Sequence, residues 1–345
     1  MVGTMSTLRG LLGTARMVRH APRLSAAMPP DDDVLLDAPD ERLAPALVAA
    51  ALADPEPAAK LLATTREAAE WESRDRYVTR LATFACSRAD WLTRWLAGTP
   101  HDPDALLVKT QVEVRRAWES PVRAERLRAL DPLIEAAARA APRDPVPWRI
   151  ALDHARGTRT GHTEFELLWE QAVRRSPHHF GCHLAALKYL SARWCGSHRV
   201  CFEFAERAAE DVLPDSLIQA LPARAALTEL LSGPGPARGD RIDTAADRAI
   251  ALSAVYPAAV PWPADVRNLL VYLLLRRRRT GEALEQFRRI GPYATSFPWT
   301  LVSEDPLDRF LEARDRARRD VARTIPLGAG RRGRPGRGGA RDHYA

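Results

Sequence analysis

The sequence predicts an all-α protein, a solenoid of stacked helical hairpins, and three observations carry that prediction. Arg139-Ala-Ala-Pro142 is echoed by Arg174-Arg-Ser-Pro177, 35 positions later, and each echo closes one helical segment just before another begins. A period of that size marks repeated units that cannot bury their apolar faces alone and pile onto their neighbours. Helix starts repeat one device, a side-chain cap followed by proline: Asp102-Pro103, Ser120-Pro121, Asp131-Pro132, Asp144-Pro145, Ser176-Pro177 and Asp305-Pro306. The cap oxygen accepts an orphan backbone N–H, and proline sits where its missing N–H costs nothing. Nowhere does a strand-length run combine period-two alternation with β-branched residues, so almost no sheet is expected.

Taken in chain order, residues 1–33 read as a basic mobile arm. Its first 30 residues hold no acid, and Leu8, Leu11, Leu12, Ala15 and Val18 permit an amphipathic helix too short and broken for a secretory leader. Pro29-Pro30 and the acids Asp31 to Asp33 then mark the start of an ordered body. Residues 34–231 form the helical-repeat region, with Thr163-Glu-Phe-Glu166 reading as a capping box. The Gly- and Pro-rich stretch 232–240 is the clearest linker, because its two Gly-Pro pairs cannot continue a helix. Residues 241–326 read as C-terminal helical hairpins. Beyond them, 327–345 collapse to Gly and Arg, with too little apolar area to offset the entropy of ordering, and are expected to be disordered.

Composition narrows the function classes. The 345 residues carry a net charge of +7, but the first 30 and last 15 residues contribute +4 each, which leaves the body at −1. Only Lys60, Lys109 and Lys188 are lysines, and the Arg, Ala and Pro bias fits high-GC bacterial coding. Four cysteines in this length do not make a disulfide framework, which points to reduced thiols and a cytoplasmic protein. No apolar run is long enough to span a membrane.

Segment 142–177 resembles a tetratricopeptide repeat. Trp148 stands near the aromatic position of a first helix, Phe165, Trp169 and Ala172 follow at the spacings of a second, and Pro177 closes the unit. Gly281-Glu-Ala-Leu-Glu-Gln-Phe287 is similar to the turn and second helix of such a repeat. Leu152 departs from the pattern, standing where a small residue is usual, and the 157–163 turn is long. Over about 140–210, Tyr189-Leu-Ser-Ala-Arg-Trp194-Cys-Gly196-Ser197 with Phe202-Glu-Phe204-Ala205 resembles a tetratricopeptide-like bacterial family of a domain of unknown function. The resemblance implies a helical interaction domain and supplies no catalytic residues.

Candidate sites are few. His179, Cys182, His183, Cys195, His198 and Cys201 concentrate zinc-type ligands, with His178 alongside, and one reading is a structural zinc across the Gly196 turn. The knuckle spacing of paired cysteines is missing, and Phe180 stands where a metalloprotease helix would place its Glu. Trp194 to Ser197 reads more simply as a turn, with Gly196 left-handed, Ser197 a cap and Trp194 anchored in the core. Trp91 and Trp95, one helical turn apart, either pack in a core or line a concave groove, and the groove reading requires partial exposure. Gly328-Ala-Gly-Arg-Arg-Gly333 spells a dinucleotide fingerprint without the strand and helix that motif requires. Arg331, Arg332, Arg334 and Arg337 offer only non-specific contact with nucleic acid. The expectation is a non-enzymatic scaffold binding an unknown protein or peptide in its concavity, without a cofactor. A metal-dependent enzyme or zinc-stabilised protein at the His/Cys cluster, and a nucleic-acid-associated protein acting through its basic ends, are the alternatives.

Overall fold

Helix follows helix with one small exception in the computed structural model, which describes residues 24–231 and 239–324. A 3-10 turn, Asp31–Asp33, leads into β1 (Leu35–Leu36). There follow α1 (Ala44–Ala51), α2 (Glu56–Glu67), α3 (Trp71–Ser87), α4 (Asp90–Gly98) and α5 (Pro103–Glu119). Next come α6 (Arg123–Arg128), α7 (Asp131–Ala140), α8 (Val146–Thr158), α9 (His162–Arg175), α10 (Phe180–Tyr189) and α11 (His198–Glu210). After a 3-10 turn at Leu217–Ala220 come α12 (Leu221–Leu231), α13 (Gly239–Val255), α14 (Ala264–Arg276) and α15 (Thr280–Ile290). β2 (Tyr293–Ala294), a kinked turn at Ser296–Trp299 and α16 (Pro306–Thr324) complete the described chain.

From α8 onward the helices alternate between two layers. α8, α10, α12 and α14 lie side by side, and α9, α11, α13 and α15 return against them. The inner members are flanked by helices on nearly every side. That explains why Leu221, Ala223, Ala225 and Ala226 on α12, and Leu269, Leu270, Val271, Leu273 and Leu274 on α14, are all fully buried. A helix apolar all round is a helix with neighbours all round. Earlier in the chain, α1 to α8 share a core of Leu62, Tyr77, Leu81, Trp91, Val108 and Ile150.

Proline-led starts hold in part. Asp102 caps α5, accepting from the N–H groups of Asp104 (2.8 Å) and Ala105 (2.9 Å). Asp144 accepts from Val146 N–H at 2.8 Å, and Asp305 from Asp308 N–H at 2.9 Å. The other three differ. Asp131 lies inside α7 without capping it, Ser120-Pro121 is a turn before α6, and Ser176-Pro177 is a turn before α10, whose cap is His179. The capping box at Thr163 does not form either, because α9 begins one residue earlier with Gly161 as its cap and no side-chain bond.

Two boundaries move. Residues 24–33 are no free arm. Leu24 is buried, Arg288 Nε donates to the Ala26 carbonyl at 3.2 Å, Arg314 Nη1 donates to that of Pro29 at 3.2 Å, and Arg314 pairs with Asp31. β1 then runs parallel to β2, with Leu35 opposite Tyr293 and Leu36 opposite Ala294. Asp37 extends the junction by accepting from Ser296 N–H at 3.0 Å and from its hydroxyl, while pairing with Arg80 at 3.1 Å. The first described residues are therefore sealed onto the last helices. The expected linker does not separate two cores either, since Ala223 and Leu227 before it and Ile242 and Ala246 after it belong to one cluster. Residues 1–23, 232–238 and 325–345, including the amphipathic Leu/Arg pattern, both Gly-Pro pairs, the Gly328–Gly333 match and the tail arginines, lie outside the described residues.

Candidate functional site

The hairpin of α8 and α9 packs through aromatic and small side chains. Ala172 is fully buried, Phe165 stacks on Tyr189 with centroids 3.6 Å apart and 5° between planes, and Trp148 lies under the Arg175 guanidinium at 4.4 Å. Gly157 is needed at the end of α8, because a Cβ there would stand 2.2 Å from Leu127 Cδ1 and 2.9 Å from the Trp118 ring.

The His/Cys residues do not converge. His179 caps α10, its Nδ1 accepting from Cys182 N–H at 3.3 Å with Cys182 Sγ 3.1 Å away. The Cys182 thiol is fully buried, 3.7 Å from the Pro145 carbonyl, and burial among carboxylates drives its pKa well up, so it is no nucleophile. His183 donates from Nδ1 to the His179 carbonyl at 3.0 Å and meets Trp169 edge-on at 4.9 Å, and burial lowers its pKa to about 4. Cys201 faces the Leu187 carbonyl at 3.7 Å, Cys195 sits in the turn, and His198 opens α11. Among the described residues no three His, Cys, Asp or Glu side chains come together as metal ligands. The zinc reading is therefore withdrawn for these six residues.

The turn reading of Trp194 to Ser197 needs amendment. Ser197 caps α11, accepting from Val200 N–H at 3.2 Å. Gly196, however, is not left-handed, since Gly291 is the one positive-φ glycine among the described residues. It is required by close approach, because a Cβ would lie 2.1 Å from the Leu190 carbonyl oxygen. Trp194 is half-buried rather than in the core, edge-on to Trp118 at 5.4 Å, with Arg156 over both rings. Trp91 and Trp95 are only 0% and 6% exposed within the α1–α8 core. They are packing residues, and the groove reading fails for them.

What the chain does assemble is a buried charge junction next to a row of charged side chains on the inner layer. At its base Arg74, fully buried on α3, donates to Asp144 (2.6 Å), Asp104 (2.6 Å) and the Leu62 carbonyl (2.8 Å). One turn along the same chain, Glu72 accepts from Phe180 N–H at 2.6 Å, and Asp75 pairs with Arg149 at 2.6 Å beside His179 at 3.8 Å. Two carboxylates thus meet the positive end of α10, where Gly181 makes room for Asp75. Burial pushes the Glu72 carboxyl up, opposed by His179 and the Phe180 N–H.

The charged side chains continue across the inner layer. On α8, Asp153 pairs with Arg156 at 3.0 Å and with Arg149 at 3.6 Å. On α12, Arg224 pairs with Asp265 of α14 and lies 4.0 Å over the Phe297 ring. Among the described residues Lys188, exposed on α10, has no ion-pair partner within 4 Å. Desolvation by the surrounding protein lowers the pKa of its ammonium, against the pull of Asp153, and the cations Arg156, Arg224 and Arg149 lower it further. Burial would raise Asp153, but Lys188, Arg156 and Arg149 outweigh it and hold that carboxyl below its usual range. Every arginine here has its acid, and Lys188 is the cation left for something else.

The spacing Arg149, Asp153, Arg156 was legible as an i, i+4, i+3 charge ladder on α8. The meeting of that ladder with Lys188 and Arg224 was not, because it depends on how three hairpins stack. No family model, no curated protein and no solved structure matches this chain.

Proposed function

We propose that the protein is a non-enzymatic binding scaffold, a solenoid of degenerate tetratricopeptide-like hairpins that holds a segment of another protein against the layer formed by α8, α10 and α12. One observation supports this reading above the others. Lys188 stands exposed and without an ion-pair partner among cations already matched to Asp75, Asp153 and Asp265. A cation beside three guanidiniums gains most from an incoming carboxylate. The segment bound is therefore acidic at one position, or presents its C-terminal carboxylate. No helix among the described residues is long and apolar enough to cross a membrane.

The test is selection of peptides from a random displayed library on the full-length chain. The selected peptides should share an acidic position, or a free C-terminal carboxylate, and should bind Lys188→Met at least about tenfold more weakly, the typical cost of a lost charge-assisted bond. A set of binders without any carboxylate in common, or binders indifferent to Lys188→Met, would refute the reading.

A further inference from the structure

A concave surface away from Lys188 carries a different chemistry. A trough of about 1010 Å³ runs between the end of α14, the start of α15 and the length of α16. Its floor is apolar, from Tyr272, Ala313 and Val321, with Val302 at 42% exposure on one side.

Charge on its walls is uneven. Arg309 is paired with Glu312 at 2.8 Å, Arg316 with Asp320 at 3.8 Å, and Asp315 is taken by Arg318 at 2.9 Å. Those pairs cancel every acid that lines the trough. Arg276 and Arg278 on one wall and Arg319 on the other make no ion pair and no side-chain hydrogen bond among the described residues. Their neighbours Arg277 and Arg279 show the contrast, being bound to Asp243, Asp247 and Glu282. Three exposed guanidiniums thus face each other across an apolar floor with their positive charge uncompensated.

We infer that this trough binds a nucleic-acid strand through its phosphates. Guanidinium forks match phosphate oxygens in geometry as well as charge. Because the cations stand on both walls, a threadlike polyanion lying in the trough touches all three at once, whereas a flat bilayer surface meets only the rim. The apolar floor gives sugars and bases a surface to lie against, while leaving sequence unread.

The experiment measures fluorescence anisotropy of a labelled single-stranded oligonucleotide against the full chain at several salt concentrations. Two full-length variants go beside it: Arg276→Ala/Arg278→Ala/Arg319→Ala, and Arg331→Ala/Arg332→Ala/Arg334→Ala/Arg337→Ala. Circular dichroism establishes that both retain their helix. The trough variant should lose at least about tenfold in affinity, and its log–log salt slope should shrink by about 2, since each single-strand phosphate contact contributes about 0.7. It should do so with the C-terminal arginines intact. The inference is overturned if the wild-type chain binds no strand at low salt, or if the trough variant titrates like wild type. It is also overturned if only the C-terminal variant loses binding, or if phosphatidylglycerol vesicles compete the strand away while leaving the trough variant equally bound to them.

Discussion

Removing Arg74 tests the buried charge junction most directly. Its side chain is fully buried and makes three donations at once, to Asp144, Asp104 and the Leu62 carbonyl, at 2.6, 2.6 and 2.8 Å. Arg74→Met keeps most of the volume and deletes all three. Asp144 is fully buried and loses its one ion-pair partner, while Asp104, nearly as buried, keeps only its longer contact with Arg66 at 3.2 Å. Breaking a buried pair from one side costs about 3–5 kcal/mol, because an uncompensated buried charge remains. Against a typical total stability of about 5–15 kcal/mol, that is a large share. With an m-value of about 3 kcal/mol per molar urea, the midpoint should fall by about 1–1.7 M. The loss should also depend on pH. Burial already holds Asp144 above its usual pKa, with Arg74 opposing, and deleting Arg74 raises it further. An acid raised in the folded state destabilises above its unfolded pKa and is relieved as pH falls through the folded one. The deficit of Arg74→Met should therefore be greatest near about pH 7 and shrink toward about pH 5. A deficit under about 1 kcal/mol, or one that stays flat with pH, would show that the junction does not bear on stability as described.

Three further expectations concern stability. Gly196→Ala drives a Cβ to 2.1 Å from the Leu190 carbonyl oxygen, backbone that cannot swing aside, and should cost about 1–3 kcal/mol. Gly98→Ala, with nothing within 4 Å of the added carbon at the end of α4, should be neutral or gain up to about 1 kcal/mol in the same urea melts. His183, held neutral with its pKa lowered to about 4, gives stability that is fully present above its unfolded value near about 6.5 and lost as pH falls toward 4. The loss amounts to about 3 kcal/mol, and a His183→Gln variant should not share that acid-side slope. NMR titration showing a normal midpoint for this ring would refute the assignment.

Where local chemistry decides the outcome, the sequence was readable. Asp102 and Ser197 cap the helices they precede, and the near absence of sheet among the described residues follows from the missing period-two pattern. Asp131 and Thr163 have the right residue types but lie already inside their helices, and a side chain can cap only from outside the first turn. Gly196 was the right residue for the wrong physical reason, since steric approach and not backbone sign demands it. The candidate sites were the least legible. Arg74 and Asp144 are 70 positions apart, and nothing in either local pattern names the other. Clustered His and Cys residues looked like a ligand set only because neighbours in sequence need not be neighbours in space.

The junction of β1 with β2, and of Asp31 with Arg314, bears on how the molecule is made. The Asp31–Arg314 pair spans 283 positions, so a chain emerging from the ribosome cannot seat residues 24–37 until almost everything else has been synthesised. Through most of synthesis Leu24 and Val34 lack the partners that later bury them. Closing so long a loop is slow compared with zipping up neighbouring hairpins. Maturation therefore ends with a clasp, and trimming either side of that clasp should open the other.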